Sequence, residues 1–379
     1  GPWARVYLVA CYLLTQLART GAILYLVALA VEPLTGWDVR MIIAVTGLLV
    51  IAYTLLGGIE AVIWTDVVQS IVLTGGIILS LFVLFSGMPE GPRQVFELAA
   101  AEGKFRLGEK GFDLAAASFV GVFVFGLFEN MKNFGIDQSY VQRYATARSG
   151  RDASRSVWVG ALAYLPVSAL LFLVGTALFA FYAAQPELLP EGVAGDKVFP
   201  HFIKTQLPIG ATGLLIAAVL AAAMSSVDSS LNSSATLYLL DVHRRFVDRS
   251  ATERESMGVL RVSTVLFGFV GIGSGLLFNS LGGSALDNWW TISGILSGGM
   301  LGLFLLALAG GRKVNNAGAF VGVCTGVTVI AWMAVSKWLP ESFPIRYALH
   351  SSFMIVLGTL AIFLVGLAAS QLRRHDRTS

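Results

Sequence analysis

The chain has 379 residues, of which 56% are hydrophobic and 13% charged, with a formal net charge of +3 and a mean hydropathy of +0.74. Water-soluble chains carry about 25% charged residues, so this composition excludes an ordinary soluble enzyme, and its apolar content excludes intrinsic disorder. The small net charge gives no case for a nucleic-acid partner. At roughly 20 apolar residues per crossing, a single transmembrane domain over residues 1–379 is expected.

The chain enters an apolar run within five residues and has no charged n-region, so no cleavable signal peptide is expected. This abrupt start suggests that an N-terminal part precedes it. Hydropathy places ten all-α spans near 5–31, 40–57, 61–86, 114–136, 156–183, 212–240, 258–281, 288–310, 316–336 and 348–371. A bilayer accepts only helices or closed barrels, and these unbroken apolar runs lack the alternation of barrel strands. Cys11 and Cys324 fall in such runs and read as packing residues rather than a disulfide or a metal pair.

Ionisable groups inside a membrane cost about 2.5–3.5 kcal/mol each on insertion scales, which makes them functional candidates. The first span holds Arg19, about 14 residues in, roughly 21 Å along at 1.5 Å per residue and too deep to snorkel easily. Between the second and third spans, Gly57-Gly58 marks a tight turn, followed by Trp64 at the interface and Asp66 near a helix start. Asp66 also suits a helix N-terminus electrostatically. The fourth span carries Glu129-Asn130-Met131-Lys132-Asn133 among Gly121, Gly126 and Gly135, which argues for a discontinuous helix lining a cavity. Glu129 and Lys132, three apart, could equally neutralise each other.

The sixth span ends in the densest polar cluster, with six serines, one asparagine and Asp228 between 225 and 234. Isolated serines in membrane helices bond back to the backbone or allow close packing. Here Ser225, Ser226, Ser229 and Ser233 follow one face, and paired hydroxyls with free carbonyls of a broken helix suit a small hard cation such as sodium. In the eighth span, Ser293-Gly294-Ile295-Leu296-Ser297-Gly298-Gly299 also looks helix-weakening.

Of the 26 Lys and Arg residues, 15 fall on the side that includes Arg5 and the C-terminal Arg373, Arg374 and Arg377, nine fall on the other, and Arg19 and Lys132 lie within spans. This bias predicts a multi-pass protein of the plasma or inner membrane with both termini cytoplasmic.

Three segments resemble the sodium:solute symporter family: YTLLGGIEAVIWTDVVQ (53–69), GIDQSYVQRYATARS (135–149) and LAAAMSSVDSSLNSSATLYLLDVHRRF (220–246). The resemblance covers essentially the whole chain and is nearest in character to sialic-acid and sugar members. It implies an inverted-repeat (LeuT-like) transporter bundle of two sets of five helices. The helix bearing Asp66 then matches the fifth core helix and the serine cluster the eighth. This chain would hold core helices three to ten plus two peripheral ones, with the first two core helices absent. A piece lacking the first helix is expected not to carry out coupled transport alone.

Carried over residue by residue, the main sodium site would take the Ala222 carbonyl and the Ser225 and Ser226 hydroxyls. A second sodium site would take Asp66, Ser225, Asp228 and Ser229, where Asp228 departs from the hydroxyl of other members. Two carboxylates there would require a cation or a proton between them. Asn130 matches a sugar contact, Asn133 stands at an aromatic gate position, and Trp290 replaces a polar sugar contact. Arg19 resembles an arginine that clamps the substrate carboxylate in sialic-acid members, and a guanidinium makes bidentate, charge-assisted bonds to such a group. A structural pair of Arg19 with Glu129 is the alternative.

The expected function is sodium-coupled symport of a small carboxylated solute such as sialic acid. The alternatives are a sugar, polyol or proline-type symporter, an inactive fragment, or a transporter-like sensor. Partners are sodium ion, solute and lipid bilayer, with no oligomer required. No G-x-S-x-G, H-E-x-x-H or P-loop occurs, so no enzyme activity is expected.

Overall fold

In a computed structural model the described residues are 1–106, 118–282, 284–311, 314–336 and 349–375, and of 56–66 and 373–375 only the backbone is described. Each expected span has a helical counterpart: α1 Pro2–Thr35, α2 Val39–Ser86, α4 Phe119–Ile136, α6 Gly150–Ala184, α8 Ile209–Leu237, α9 Glu253–Leu281, α10 Ala285–Gly310, α11 Asn316–Ser336 and α12 Phe353–His375. Three short helices join them: α3 Arg93–Ala101, α5 Gln138–Ala145 and α7 Gly195–Gln206. Eight helices among the described residues are long and apolar enough to cross a membrane. The first arm of α2 is a shorter apolar helix, and α4, with its central polar run, is not among the eight.

α2 supplies two crossings. As one straight rod its 48 residues would extend about 72 Å, more than twice a hydrocarbon core. Its packing shows the reversal. Thr20 sits under Gly271 and Gly21 under Ser274, so α1 and α9 are parallel, whereas Gly47 meets Ile272 and Gly268 meets Ile51, so residues 39–55 run against α9. Gly76 meets Leu215 while Leu73 shares a cavity with Ala222 and Ser226, so residues 67–86 run against α8. α8 and α9 are antiparallel neighbours, and the two arms of α2 are therefore antiparallel too. The reversal falls between Leu55 and Val67. The Gly57–Gly58 pair expected to make it has helical backbone within α2, and the side chains of Trp64 and Asp66 lie outside what is described.

Small residues set the helix spacing. Without a hydrophobic drive between helices in lipid, close backbone contact supplies the association energy. α10 and α12 meet through Gly298, Gly302 and Gly358, and Thr359 Oγ1 donates to the Gly298 carbonyl at 3.3 Å. α11 and α12 meet through Gly318, Gly322, Gly326 and Gly366. The glycines of the eighth span therefore do not weaken α10, which is continuous; Gly294, Gly298 and Gly302 admit α12 against its backbone, and Gly299 admits Tyr7 of α1. A cluster of Leu84, Val95, Phe181 and Phe202 gathers α2, α3, α6 and α7 at the end of the bundle where Lys197 of α7 pairs with Glu32 at 2.6 Å.

The fourth span also corrects an expectation. α4 runs unbroken through 129–133, with local bonds inside it: Lys132 Nζ donates to Glu129 Oε1 at 2.6 Å and the Asn130 amide donates to the Gly126 carbonyl at 2.8 Å, while Glu129 Oε2 is buried without a hydrogen-bond partner. The interruption comes at Asp137, whose extended backbone ends α4 and caps α5. Lys132 is 4% exposed and Glu129 20%, so removing one charge strands the other. Lys132→Met is expected to cost about 2–3 kcal/mol, and the double variant Lys132→Met/Glu129→Gln most of that less. Thermal unfolding of the detergent-solubilised protein checks the difference.

α8 passes into a ten-residue π-helical stretch, Tyr238–Val247, where Asp241 receives Arg5 of α1 at 2.6 Å. Ser250 then bonds Asp248 through its backbone N–H and hydroxyl, holding that carboxyl below the usual carboxylate range. Thr252 and Glu255 form a capping box that starts α9.

Candidate functional site

A cavity of about 300 Å³ opens between α1, the second arm of α2, α5 and α8, lined by Arg19, Gln69, Ser70, Ser139, Tyr140 and Arg143 opposite Ala222, Ser225, Ser226 and Ser229. Helical spacing puts this face together: 222, 225, 226 and 229 recur at i, i+3, i+4 and i+7. The serine cluster divides by role. Ser230 donates to the Ser226 carbonyl at 3.0 Å and Ser233 to the Ser230 carbonyl at 3.1 Å, so these two turn back onto their own helix. Ser225, Ser226 and Ser229 face the cavity.

The chemistry of this face suits a small cation. Hydroxyl oxygens carry lone pairs without fixed charge and can replace water in a hydration shell. α8 is continuous through Ala222, so that carbonyl offers its second lone pair. Ser229 also accepts from Arg143 Nη2 at 3.2 Å. Among the described residues no group of three or more His, Cys, Asp or Glu side chains could hold a metal ion.

Arg19 lines the same cavity. The alternative pairing with Glu129 does not form, because Glu129 is engaged by Lys132. Among the described residues no carboxylate lies within ion-pair distance of Arg19. A half-buried guanidinium facing hydroxyls can therefore direct its donors at an anionic guest.

The other expected site residues are not brought to this cavity. Asn130 is exposed and bonded within α4, and Asn133 is half-buried on the same helix. Trp290 is 45% exposed and packs on Phe125 with ring centroids 6.2 Å apart. None of the three lines the cavity of Arg19 and the serines. Asp228 is buried but does not line the cavity, lying off the Ser225–Ser226–Ser229 face. The Asp66 side chain lies outside the described residues.

The sequence reading missed the groups that close the cavity. Gln69 ends the 53–69 segment and Ser70 follows it, and Ser139, Tyr140 and Arg143 sit inside the 135–149 segment. It also missed Asp137, buried where α4 gives way to α5. Asp137 Oδ1 accepts from Tyr12 Oη at 3.2 Å and from the Ser139 N–H and hydroxyl at 2.9 and 2.6 Å, while Oδ2 receives Gln16 Nε2 at 3.5 Å. A lone aspartate beside Gln138 and Ser139 carries no signal of burial, which depends on α1 packing across it.

Comparison with known proteins places this geometry in context. The chain is 31% identical over 370 residues to the sodium/sialic acid symporter NanT of Aliivibrio fischeri, covering 97% of this chain and 71% of that protein. It is 32% identical to the sodium/sialic acid symporter SiaT of Proteus mirabilis, covering 94% and 72%, and 27% identical to the sodium/glucose cotransporter of Vibrio parahaemolyticus, covering 94% and 67%. A solved structure of a Na⁺-coupled sialic acid symporter, substrate-bound and outward-open, superposes with a TM-score of 0.86 at 29% identity, covering 98% of this chain and 75% of that one. The sodium:solute symporter family model matches residues 4–326. With that match over most of its length, and with oxygen-lined and cationic groups converging on one cavity between the helices, the chain belongs to the sodium:solute symporter family.

Proposed function

We propose that this protein carries out sodium-coupled symport of a small carboxylated solute such as sialic acid, with both termini of the chain in the cytoplasm and residues 1–379 forming one transporter domain. The observation that carries the reading is that Arg19 lines the same 300 Å³ cavity as Ser225 and Ser226. Sodium would be held by the Ser225 and Ser226 hydroxyls and the Ala222 carbonyl, and the solute carboxylate by Arg19. The solutes named for NanT and SiaT fit that chemistry.

Sharing one cavity supplies the coupling. A sodium ion and a carboxylate about 6 Å apart attract by about 2–3 kcal/mol at an effective dielectric near 20, so each raises the other's affinity by roughly 100-fold, reciprocally. Neither ion alone neutralises the site as well as the pair. Rocking of the bundle around the filled site then carries both across. Ser229 would serve a second cation with Asp66 and Asp228 only if Arg143, already bonded to Ser229, tolerates a positive neighbour.

The direct test is uptake of radiolabelled sialic acid into vesicles from cells expressing the full-length protein, with and without an inward sodium gradient. Uptake that persists after the gradient is collapsed overturns the proposal. The assignment of the hydroxyls has its own test. Ser226→Ala should raise the half-saturating sodium concentration about tenfold, the cost of one lost ligand bond near 1.4 kcal/mol. Ser233→Ala, whose hydroxyl is bonded to the Ser230 carbonyl, should leave it unchanged.

A further inference from the structure

We infer that Asp137 and Gln16 form a further monovalent-cation site, beside the serine cavity, through which sodium passes on its way between that cavity and the α1–α10 side of the bundle. The inference rests on the sodium-coupled reading for the identity of the ion and on separate atoms for its place.

The starting observation is an excess of acceptors. Asp137 is buried, and three donors crowd its Oδ1: the Tyr12 hydroxyl, the Ser139 N–H and the Ser139 hydroxyl. Oδ2 has one long contact, Gln16 Nε2 at 3.5 Å. Gln16 is 1% exposed, and its Oε1, on the amide turned toward Asp137, has no hydrogen-bond partner. Rotating the amide does not help, because Oε1 would then face Oδ2 and two acceptors would oppose each other. In either orientation the pair lacks a positive or donating group. Buried unsatisfied groups of this kind call for a water or an ion.

Charge decides between those two. The carboxylate sits among neutral donors, and the fixed cations around it are engaged elsewhere: Lys132 by Glu129, Arg5 by Asp241 and Arg143 by Ser229. Among the described residues no Lys or Arg pairs with Asp137. A buried anion without a counter-charge is costly, and an ion bridging Oδ2 and Oε1 removes the excess acceptors and supplies that charge together. Tyr12 and Ser139 then remain as they are and hold the carboxylate in position.

Location gives the site its role. Ser139 lines the serine cavity, while Tyr12, Ile136 and Gln138 line a separate cavity of about 680 Å³ that also contains the Arg5–Asp241 pair. Asp137 thus stands in the partition between the two. A cation leaving Ser225 and Ser226 for the larger cavity meets this carboxylate first.

Equilibrium binding of ²²Na⁺ to the purified full-length protein tests this. With Ser225→Ala/Ser226→Ala, residual binding should persist. Adding Asp137→Asn should weaken it at least about tenfold, with folding retained because asparagine caps a helix as well as aspartate does. Gln16→Glu, which adds a second carboxylate oxygen pair, should tighten the residual binding about tenfold. No residual binding in the serine double variant, or residual binding indifferent to both Asp137→Asn and Gln16→Glu, overturns the inference. Failure of the serine assignment reads differently: binding undiminished in the serine double variant but lost with Asp137→Asn alone overturns that assignment and supports this site.

Discussion

Arg19→Ala should reduce sodium-driven uptake of a carboxylated solute about 100-fold at low solute concentration. Each charge-assisted hydrogen bond contributes about 1.5–3 kcal/mol, and a bidentate clamp in a half-buried cavity should lose about 3 kcal/mol on truncation. The loss belongs in the apparent KM for solute. The half-saturating sodium concentration should rise as well, because the two guests stabilise each other, but by a smaller factor. Arg19→Lys restores the charge without the planar fork and should recover about tenfold of the loss. Solute competition curves on the three proteins distinguish these outcomes. Uptake retained in full by Arg19→Ala would remove the carboxylate clamp and leave a neutral solute as the better reading of the cavity.

Gly322→Leu should abolish the packing of α11 on α12. A Cβ at Gly322 would stand 2.6 Å from the Ile362 carbonyl oxygen and 2.8 and 2.9 Å from the Gly366 Cα and N. All three are backbone atoms, so no rotamer change relieves the clash and the helices must separate. Overpacking of a core usually costs about 1–3 kcal/mol; with an unyielding backbone opposite, about 3 kcal/mol or more is expected, seen as loss of the monodisperse peak and a lowered Tm in detergent. Gly75→Ala provides the contrast. Nothing lies within 4 Å of a Cβ there, and alanine favours a helix interior by about 1 kcal/mol, so its Tm should hold or rise.

These two positions show how differently the chain could be read. Arg19 is conspicuous in sequence, since a charge deep in an apolar run has few explanations, and its cavity is where the serine cluster lies. The glycines of α10 are misleading in sequence. Gly294, Gly298 and Gly299 look like a weak point in a helix, and only the approach of α12 to the first two and of Tyr7 of α1 to Gly299 explains them as contact surface. The polar run at 129–133 misleads for a related reason. Local bonds from Lys132 to Glu129 and from Asn130 to Gly126 pair most of it within an unbroken helix, and spacing alone cannot tell a locally paired polar patch from an open one. The interruption falls at Asp137 instead, where α1 supplies Tyr12 and Gln16 from more than 100 positions away.

Sequence alone determined that the chain is helical and membrane-embedded, and which face of the sixth span is oxygen-rich. Those are properties of contiguous residues, set by apolar runs of bilayer length and by the 3.6-residue period. Tertiary structure alone decided which hydroxyls look into the cavity and which fold back, that Arg19 joins Ser225 and Ser226 while Asn130 and Trp290 do not, and that Asp137 is buried. Each of those depends on what a distant helix brings opposite a given side chain, and in a bundle of apolar helices that choice is made by the close approach of small residues, which no single span contains.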